Sequence, residues 1–261
     1  MKYTAETYNN LIKQSYCFSQ KEYEKDKTFS MLKTLYERNY LNGSGEDKIP
    51  KIIHQIWLGG TLPDRYKKFT ESWKSLHPSW IYKMWTEREV RHLKLTNETF
   101  FYQATNYGQK SDILRYELLN KFGGIYVDTD FECLKPFDEF LYLDFFTSSG
   151  YAAKFELYPA LIGSVPGYPV IQRCINEMKD IDAITYTGMF NTTGPYYFAQ
   201  KFLKDVNEDS EGVVVFPMGF FYPWPNNVRR QNEPYKYIKS YSYAIHHWDV
   251  SWTRTRRHIV K

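Results

Sequence analysis

Residues 111–132 read SDILRYELLNKFGGIYVDTDFE, and two periodicities meet inside them. Ile113, Leu114, Leu118, Leu119 and Phe122 follow the spacing of one helix face, and Gly123-Gly124 stands behind them as a C-terminal stop. A helix is therefore expected from about Gln109 to Phe122. Ile125, Tyr126 and Val127 then form a short run of β-type residues that ends at Asp128 and Asp130, and alternation along an extended chain turns both carboxylates to one side. Like charges held that close raise one pKa unless a cation sits between them, so the pair asks for a metal or a shared proton. The glycine turn brings the helix back beside the strand. On that helix Asp112 and Arg115 lie three residues apart on one face, where a carboxylate and a guanidinium together hold a polyhydroxylated ligand.

Outward from this stretch, 261 residues suffice for one sizeable α/β domain with a small extension. Aromatic residues make up 19 % of the chain, well above ordinary usage, which suits surfaces that stack on bases and sugar rings as well as a dense core. The net charge of +4 is dispersed, without an arginine-rich stripe, and this argues against a nucleic-acid partner. Cys17, Cys133 and Cys174 are odd in number and lack metal-type spacing, which fits a reducing compartment. With no signal pattern and no long apolar run, the expectation is a cytoplasmic protein with at most peripheral association at the inner membrane surface.

Residues 1–48 carry helical patterns that close at Asn42-Gly43-Ser44-Gly45, so a helical extension is expected there, with the main domain over 49–261. Ile52 to Leu58 is a nearly continuous apolar run suited to a strand buried on both faces of a parallel sheet. Trp57 stands at its carboxyl end, where open α/β sheets bind nucleotides, and Gly59-Gly60 lets backbone approach a ligand. His54 reads as a hydrogen-bonded core group. A helix from Pro63 to Leu76, a strand from Ile81 to Trp85 and a helix from Glu87 to Leu95 continue the alternation. Further strands are expected at Phe145 to Ser148 and Ala160 to Ser164, with a helix from Pro169 through Met178. Residues 188–195, GMFNTTGP, open another helix whose N-terminus favours anions, making Thr193 and Gly194 site candidates. Residues 218–225, MGFFYPWP, read as an exposed aromatic loop suited to an acceptor sugar.

The run Ser111, Asp112, Arg115, Gly123, Gly124, Tyr126, Asp128 and Asp130 resembles, in unbroken register, the Asp-x-Asp segment of glycosyltransferase family 32. That family includes mannosyltransferases and capsule enzymes and is related to the clostridial glucosylating toxins. The resemblance implies a GT-A-like, Rossmann-type nucleotide-sugar-binding domain. It implies transfer of a hexose or N-acetylhexosamine, with retention, from a nucleotide sugar donor to an oligosaccharide or lipid-linked glycan acceptor. A uridine diphosphate sugar is the first candidate donor and guanosine diphosphate mannose the second. It also implies Mn²⁺ or Mg²⁺ on Asp130, with Asp128 bridging to the nucleotide. Trp57 matches the tryptophan that stacks on the base, and Ser111, Asp112, Arg115 and Tyr126 match the donor-sugar and ribose contacts. Residues 243–252 resemble the closing element of the family, which nominates His246, ahead of its neighbour His247, as a third metal ligand. In the same element Ser251 and Trp252 match donor contacts, and the indole N–H of Trp252 is suited to the leaving phosphate. Catalysis is thus expected from Asp128, Asp130, Arg115 and Trp252.

Other classes fare worse. An Asp-x-Asp phosphatase needs Thr or Val two residues after the second Asp, where this chain has Glu132. Toxin-like protein glycosylation and a non-catalytic sugar-nucleotide-binding module are the remaining alternatives.

Overall fold

The computed structural model describes residues 8–13, 27–149, 156–179 and 186–249. A six-stranded sheet runs through it in the order β2-β1-β3-β6-β5-β7. These strands are β1 (Ile52–Ile56), β2 (Ile81–Trp85), β3 (Gly124–Val127), β5 (Phe145–Ser148), β6 (Leu161–Ser164) and β7 (Val213–Phe216). β1 pairs in parallel with both β2 and β3, β6 runs antiparallel between β3 and β5, and β7 returns parallel to β5. A separate antiparallel ribbon joins β4 (Phe131–Cys133) to β8 (Ala244–His246). The apolar runs of β1, β3 and β6 are buried, as strands inside the sheet.

The first helices among the described residues are α1 (Tyr8–Lys13) and α2 (Lys27–Leu35), the latter continued by a π-helical segment, Tyr36–Leu41. Tyr36 and Tyr40 pack edge-on to Phe216, and Asn39 Nδ2 donates to Val213 O at 2.8 Å and Ser210 O at 2.9 Å. The exposed side of β7 is thereby covered, which shields an edge strand from further pairing. Between β1 and β2 lies α3 (Asp64–Leu76), burying Tyr66, Phe69 and Trp73. Trp73 Nε1 donates to Phe131 O at 3.0 Å and Ser72 Oγ accepts from Cys133 N at 2.9 Å, so α3 also fixes β4.

α4 (Glu87–Val90) opens with Thr86 and Glu89 in a reciprocal capping box. It stops before the expected Leu95, and α5 (Glu98–Gln103) starts a new direction that the sequence reading did not separate. α6 (Tyr107–Phe122) begins two residues earlier than expected because the Asn106 side chain accepts from Gly108 N at 2.7 Å and Gln109 N at 3.4 Å. Its end is fixed by Gly123, at φ 61°, where a Cβ would lie 2.7 Å from Pro166 Cδ and 2.9 Å from Ser164 O. His54 ties β1 to this turn. Trp85 Nε1 donates to His54 Nδ1 at 3.0 Å, so the ring proton sits on Nε2 and is donated to Gly123 O at 2.9 Å. Burial lowers the His54 pKa to about 4.

In the second half α7 (Pro169–Asn176), α8 (Tyr186–Thr192) and α9 (Pro195–Asp205) pack against α6 and one another. The aromatic stretch 218–225 corrects an expectation: every residue of it is buried, not exposed. Phe220 and Phe221 lie within ring contact of Phe216, Phe137 and Phe140, where they close the core, and aromatic density in sequence reads alike for both fates. No helix among the described residues is long and apolar enough to cross a membrane.

Candidate active site

A cleft of about 540 Å³ opens at the carboxyl ends of β1 and β3, within the usual range for small-molecule sites. Strand alternation and one tight turn build its acidic floor. Asp128 N still donates to Ala160 O at 2.9 Å, continuing the β3–β6 pairing, and Phe131 N then donates to Asp128 O at 3.2 Å as the chain reverses into β4. The register of the ribbon sets Phe131 opposite His246. Consequently Asp130 meets His246, whose Nε2 lies 3.0 Å from Asp130 Oδ1, while Asp249 N donates to Asp130 Oδ2 at 2.8 Å. His247 turns the other way, to Glu132 Oε2 at 3.0 Å, and stacks on Phe69.

A second group of charges comes from α6. Arg115 is 4 % exposed, and its guanidinium reaches Asp112 Oδ1 at 2.9 Å and Asp128 Oδ1 at 3.4 Å while lying 4.7 Å over the Tyr126 ring. Tyr126 OH donates to Asp128 Oδ1 at 2.6 Å. Burial raises the Asp128 pKa above the ordinary carboxylate range; Arg115 opposes this and Asp130 adds to it. Burial works against ionised Asp130 too, yet the His246 imidazole and the Asp249 amide hold its carboxyl below that range. Burial pushes Asp112 up to about 6, against the pull of Arg115 and Thr193.

The other sequence-predicted residues fall into three groups. Trp57, Ser111, Asp112, Arg115, Tyr126, Asp128, Asp130, Gly194 and His246 all line the cleft. Trp57 is half-buried with its ring 5.0 Å from that of Tyr66, and its Nε1 is buried without a hydrogen-bond partner. Beside it Gly59, at φ 92°, leaves room for Tyr107, whose Cε2 would stand 2.6 Å from a Cβ there. Thr193 lies beneath the surface instead: it is fully buried, its Oγ1 donates to Asp112 Oδ2 at 3.0 Å, and its carbonyl accepts from Tyr116 OH at 2.8 Å. Ser251 and Trp252 lie outside the described residues.

Cleft-lining residues beyond the sequence-based set include Glu156, Tyr222, Arg229, Trp248 and Asp249. Trp248 has φ 55°, a conformation uncommon for a bulky residue, held by its Nε1 bond to Trp224 O at 2.7 Å. Asp249 accepts from Tyr66 OH at 2.7 Å and pairs with Arg65 at 2.9 Å. The signal for these two was their place in the quoted closing stretch, directly after the paired histidines.

Asp128, Asp130 and His246 each offer a ligand atom within 4.8 Å of the others. His246 Nδ1 is buried without a hydrogen-bond partner. Two carboxylates and an imidazole, mostly buried, fit a divalent cation with mixed oxygen and nitrogen preference.

The profile of the family described as "Glycosyltransferase sugar-binding region containing DXD motif" matches residues 63–146. An uncharacterised glycosyltransferase of Acanthamoeba polyphaga mimivirus is 30 % identical over 200 residues, spanning 72 % of this chain and 78 % of that protein. Inositol phosphoceramide mannosyltransferases 1 and 2 of Schizosaccharomyces pombe are 26 % and 31 % identical over 196 and 159 residues. Those matches cover 69 % and 58 % of this chain but only 60 % and 46 % of the yeast proteins, so the chain spans about half their length. Among solved structures, the PaToxG glycosyltransferase superposes with a TM-score of 0.55 at 17 % identity, covering 71 % of this chain and 78 % of that one, a likeness of fold.

Proposed function

The chain belongs to the glycosyltransferases whose sugar-binding region contains a DXD motif, and we propose that its cleft moves a hexose or N-acetylhexosamine from a nucleoside diphosphate to a glycan or lipid-linked acceptor. The observation that carries this reading is the meeting, in one cleft, of the Asp128, Asp130 and His246 group with the Asp112–Arg115–Asp128 network. Asp112 and Arg115 receive donor-sugar hydroxyls, since both are fixed on α6 and already oriented by Thr193 and Tyr126. Trp57 stacks on the base at the end of β1, with Ser111 close by on α6. Tyr126 orients Asp128 by donating to it. Thr193 supports Asp112 from below, and Gly194 presents backbone to the donor. Ser251 and Trp252 act on the leaving phosphate.

Asp130, Asp128 and His246 would hold a divalent cation, Mn²⁺ first and Mg²⁺ second. When bound, such a cation neutralises the charge that develops on the diphosphate. In the transfer itself the anomeric carbon–oxygen bond breaks with its electron pair going to the diphosphate. The acceptor hydroxyl oxygen makes the new bond, and its proton passes to the diphosphate or to water. Retention at the anomeric carbon is part of the proposal.

A uridine diphosphate sugar is the first candidate donor. The yeast relatives named mannosyltransferases give weight to mannose, and hence to guanosine diphosphate mannose as the second. A thermal-shift screen of nucleotide sugars, with and without Mn²⁺, followed by a donor-hydrolysis assay, tests the reading, because a ligand that binds only the native state raises its melting temperature. Stabilisation by a nucleotide sugar together with Mn²⁺-dependent hydrolysis is expected. Absence of both overturns the function, and binding without turnover supports a non-catalytic module.

A further inference from the structure

Charge accounting in the cleft leaves one arginine without a carboxylate partner among the described residues. Its lining carries the carboxylates of Asp112, Asp128, Asp130, Glu156 and Asp249. Arg115 is engaged by Asp112 and Asp128, and Asp249 is matched by Arg65 from outside the lining. Arg229 also lines the cleft, yet it makes no ion pair among the described residues; its Nη1 donates only to the neutral Asn226 Oδ1, at 2.7 Å. Four of its five N–H donors therefore have no protein acceptor in that contact.

Arg229 is exposed where it lines the cleft. It sits in the 3₁₀ segment Asn226–Gln231, which follows directly on the buried stretch ending at Pro225. Trp224, in that stretch, accepts the Trp248 indole N–H, and the Trp248 ring lies 4.2 Å from His246. The segment that carries Arg229 thus follows directly on the wall that also carries His246. A diphosphate entering a cleft with this many carboxylates needs cationic donors on that wall, and a planar guanidinium matches phosphate oxygens in pairs.

We propose that Arg229 is the side chain that receives the phosphate oxygens of the nucleotide sugar, as a second cationic group of the cleft beside Arg115. This rests on the reading of the cleft as a nucleotide-sugar site. The same chemistry could be presented by a phosphate group on the acceptor, and the arms of the experiment separate the two sources.

Calorimetric titration in the presence of Mn²⁺ compares a nucleoside diphosphate with its nucleoside on the wild type, Arg229→Ala, Arg229→Lys and the control Arg230→Ala. Arg230 is exposed like Arg229 but does not line the cleft. Arg229→Ala is expected to weaken the diphosphate about tenfold or more while leaving the nucleoside unchanged, with Arg229→Lys intermediate and Arg230→Ala unaffected. An unchanged ratio of diphosphate to nucleoside affinity in Arg229→Ala overturns the proposal. So does an equal loss in Arg230→Ala, which signals a diffuse field rather than a site. An unchanged diphosphate affinity combined with a raised KM for a phosphorylated acceptor assigns Arg229 to the acceptor and overturns it as well. Failure of the wild type to bind any nucleoside diphosphate is a different result, and it rejects the underlying function instead.

Discussion

Asp130 has no other buried carboxylate in its position: Asp128 answers to Arg115 and Tyr126, whereas Asp130 answers to His246 and the Asp249 amide. Asp130→Ala removes a proposed metal contact and little core volume, so transfer should fall below detection while the melting temperature of the free protein holds. Activity equal to wild type would sink the metal assignment. Trp57→Ala should weaken nucleotide binding by about 1–3 kcal/mol, measured by calorimetry. An unchanged affinity in a folded variant removes the stacking role. Two titrating groups act in opposition. Burial depresses His54 to about 4, so unfolding takes up a proton and stability falls as pH drops from about 6.5 through 4. Burial raises Asp112 to about 6, so its contribution is fullest below about 4 and is lost as pH rises through 6. Each amounts to about 3 kcal/mol at its limit. Denaturation curves across pH 4–6.5 should therefore show a shallow dependence in the wild type, stability rising with pH in Asp112→Asn and falling with pH in His54→Gln. Parallel curves for all three would reject the assignment. Among single residues, Asp112, Arg115, Asp128 and Asp130 were legible because one local helix-turn-strand spacing carries them. Thr193 beneath Asp112 and the Asp249 amide on Asp130 were not, since 81 and 119 residues separate the partners and no local pattern encodes those meetings.

At the scale of elements, α6 and β3 are held by the turn between them. Gly123→Ala combines a positive φ with contacts under 3 Å to Pro166 and to the Ser164 backbone, neither of which is a flexible side-chain end. A loss of roughly 1–3 kcal/mol is expected in denaturant, with a larger proportional loss of donor affinity because Asp112 and Asp128 stand on opposite sides of that turn. Full affinity in the variant would mean the turn does not set their spacing. The alternation from β1 to β3 was readable since apolar runs and capping residues are local signals, as at Thr86 and Gly123. The split of α4 from α5 and the antiparallel course of β6 were not, because pairing direction depends on tertiary neighbours. The burial of residues 218–225 depended on which rings from distant segments met it, such as Phe137 and Phe140.

Across the whole molecule, the N-terminal segment and the far edge of the sheet depend on each other. We read residues 27–41 as a segment whose task is to cover β7. Asn39→Ala breaks two hydrogen bonds to that edge and should cost about 1–3 kcal/mol, with an increased tendency to self-associate measurable by light scattering. A monodisperse variant of unchanged stability would assign the extension another role. The ribbon of β4 and β8 also has a temporal side. Asp130 and His246 are 116 residues apart in the chain, so their meeting waits on a long loop closure. A ribosome delivers the half that carries Trp57, Asp112 and Arg115 long before it delivers β8. During refolding, then, the aromatic core should report order first, and cation-dependent donor binding should arrive with the slowest phase. Completion of the proposed site is in that sense a late event in the assembly of the chain, and nascent or C-terminally clipped chains would hold a formed face around Trp57 and Arg115 that lacks His246.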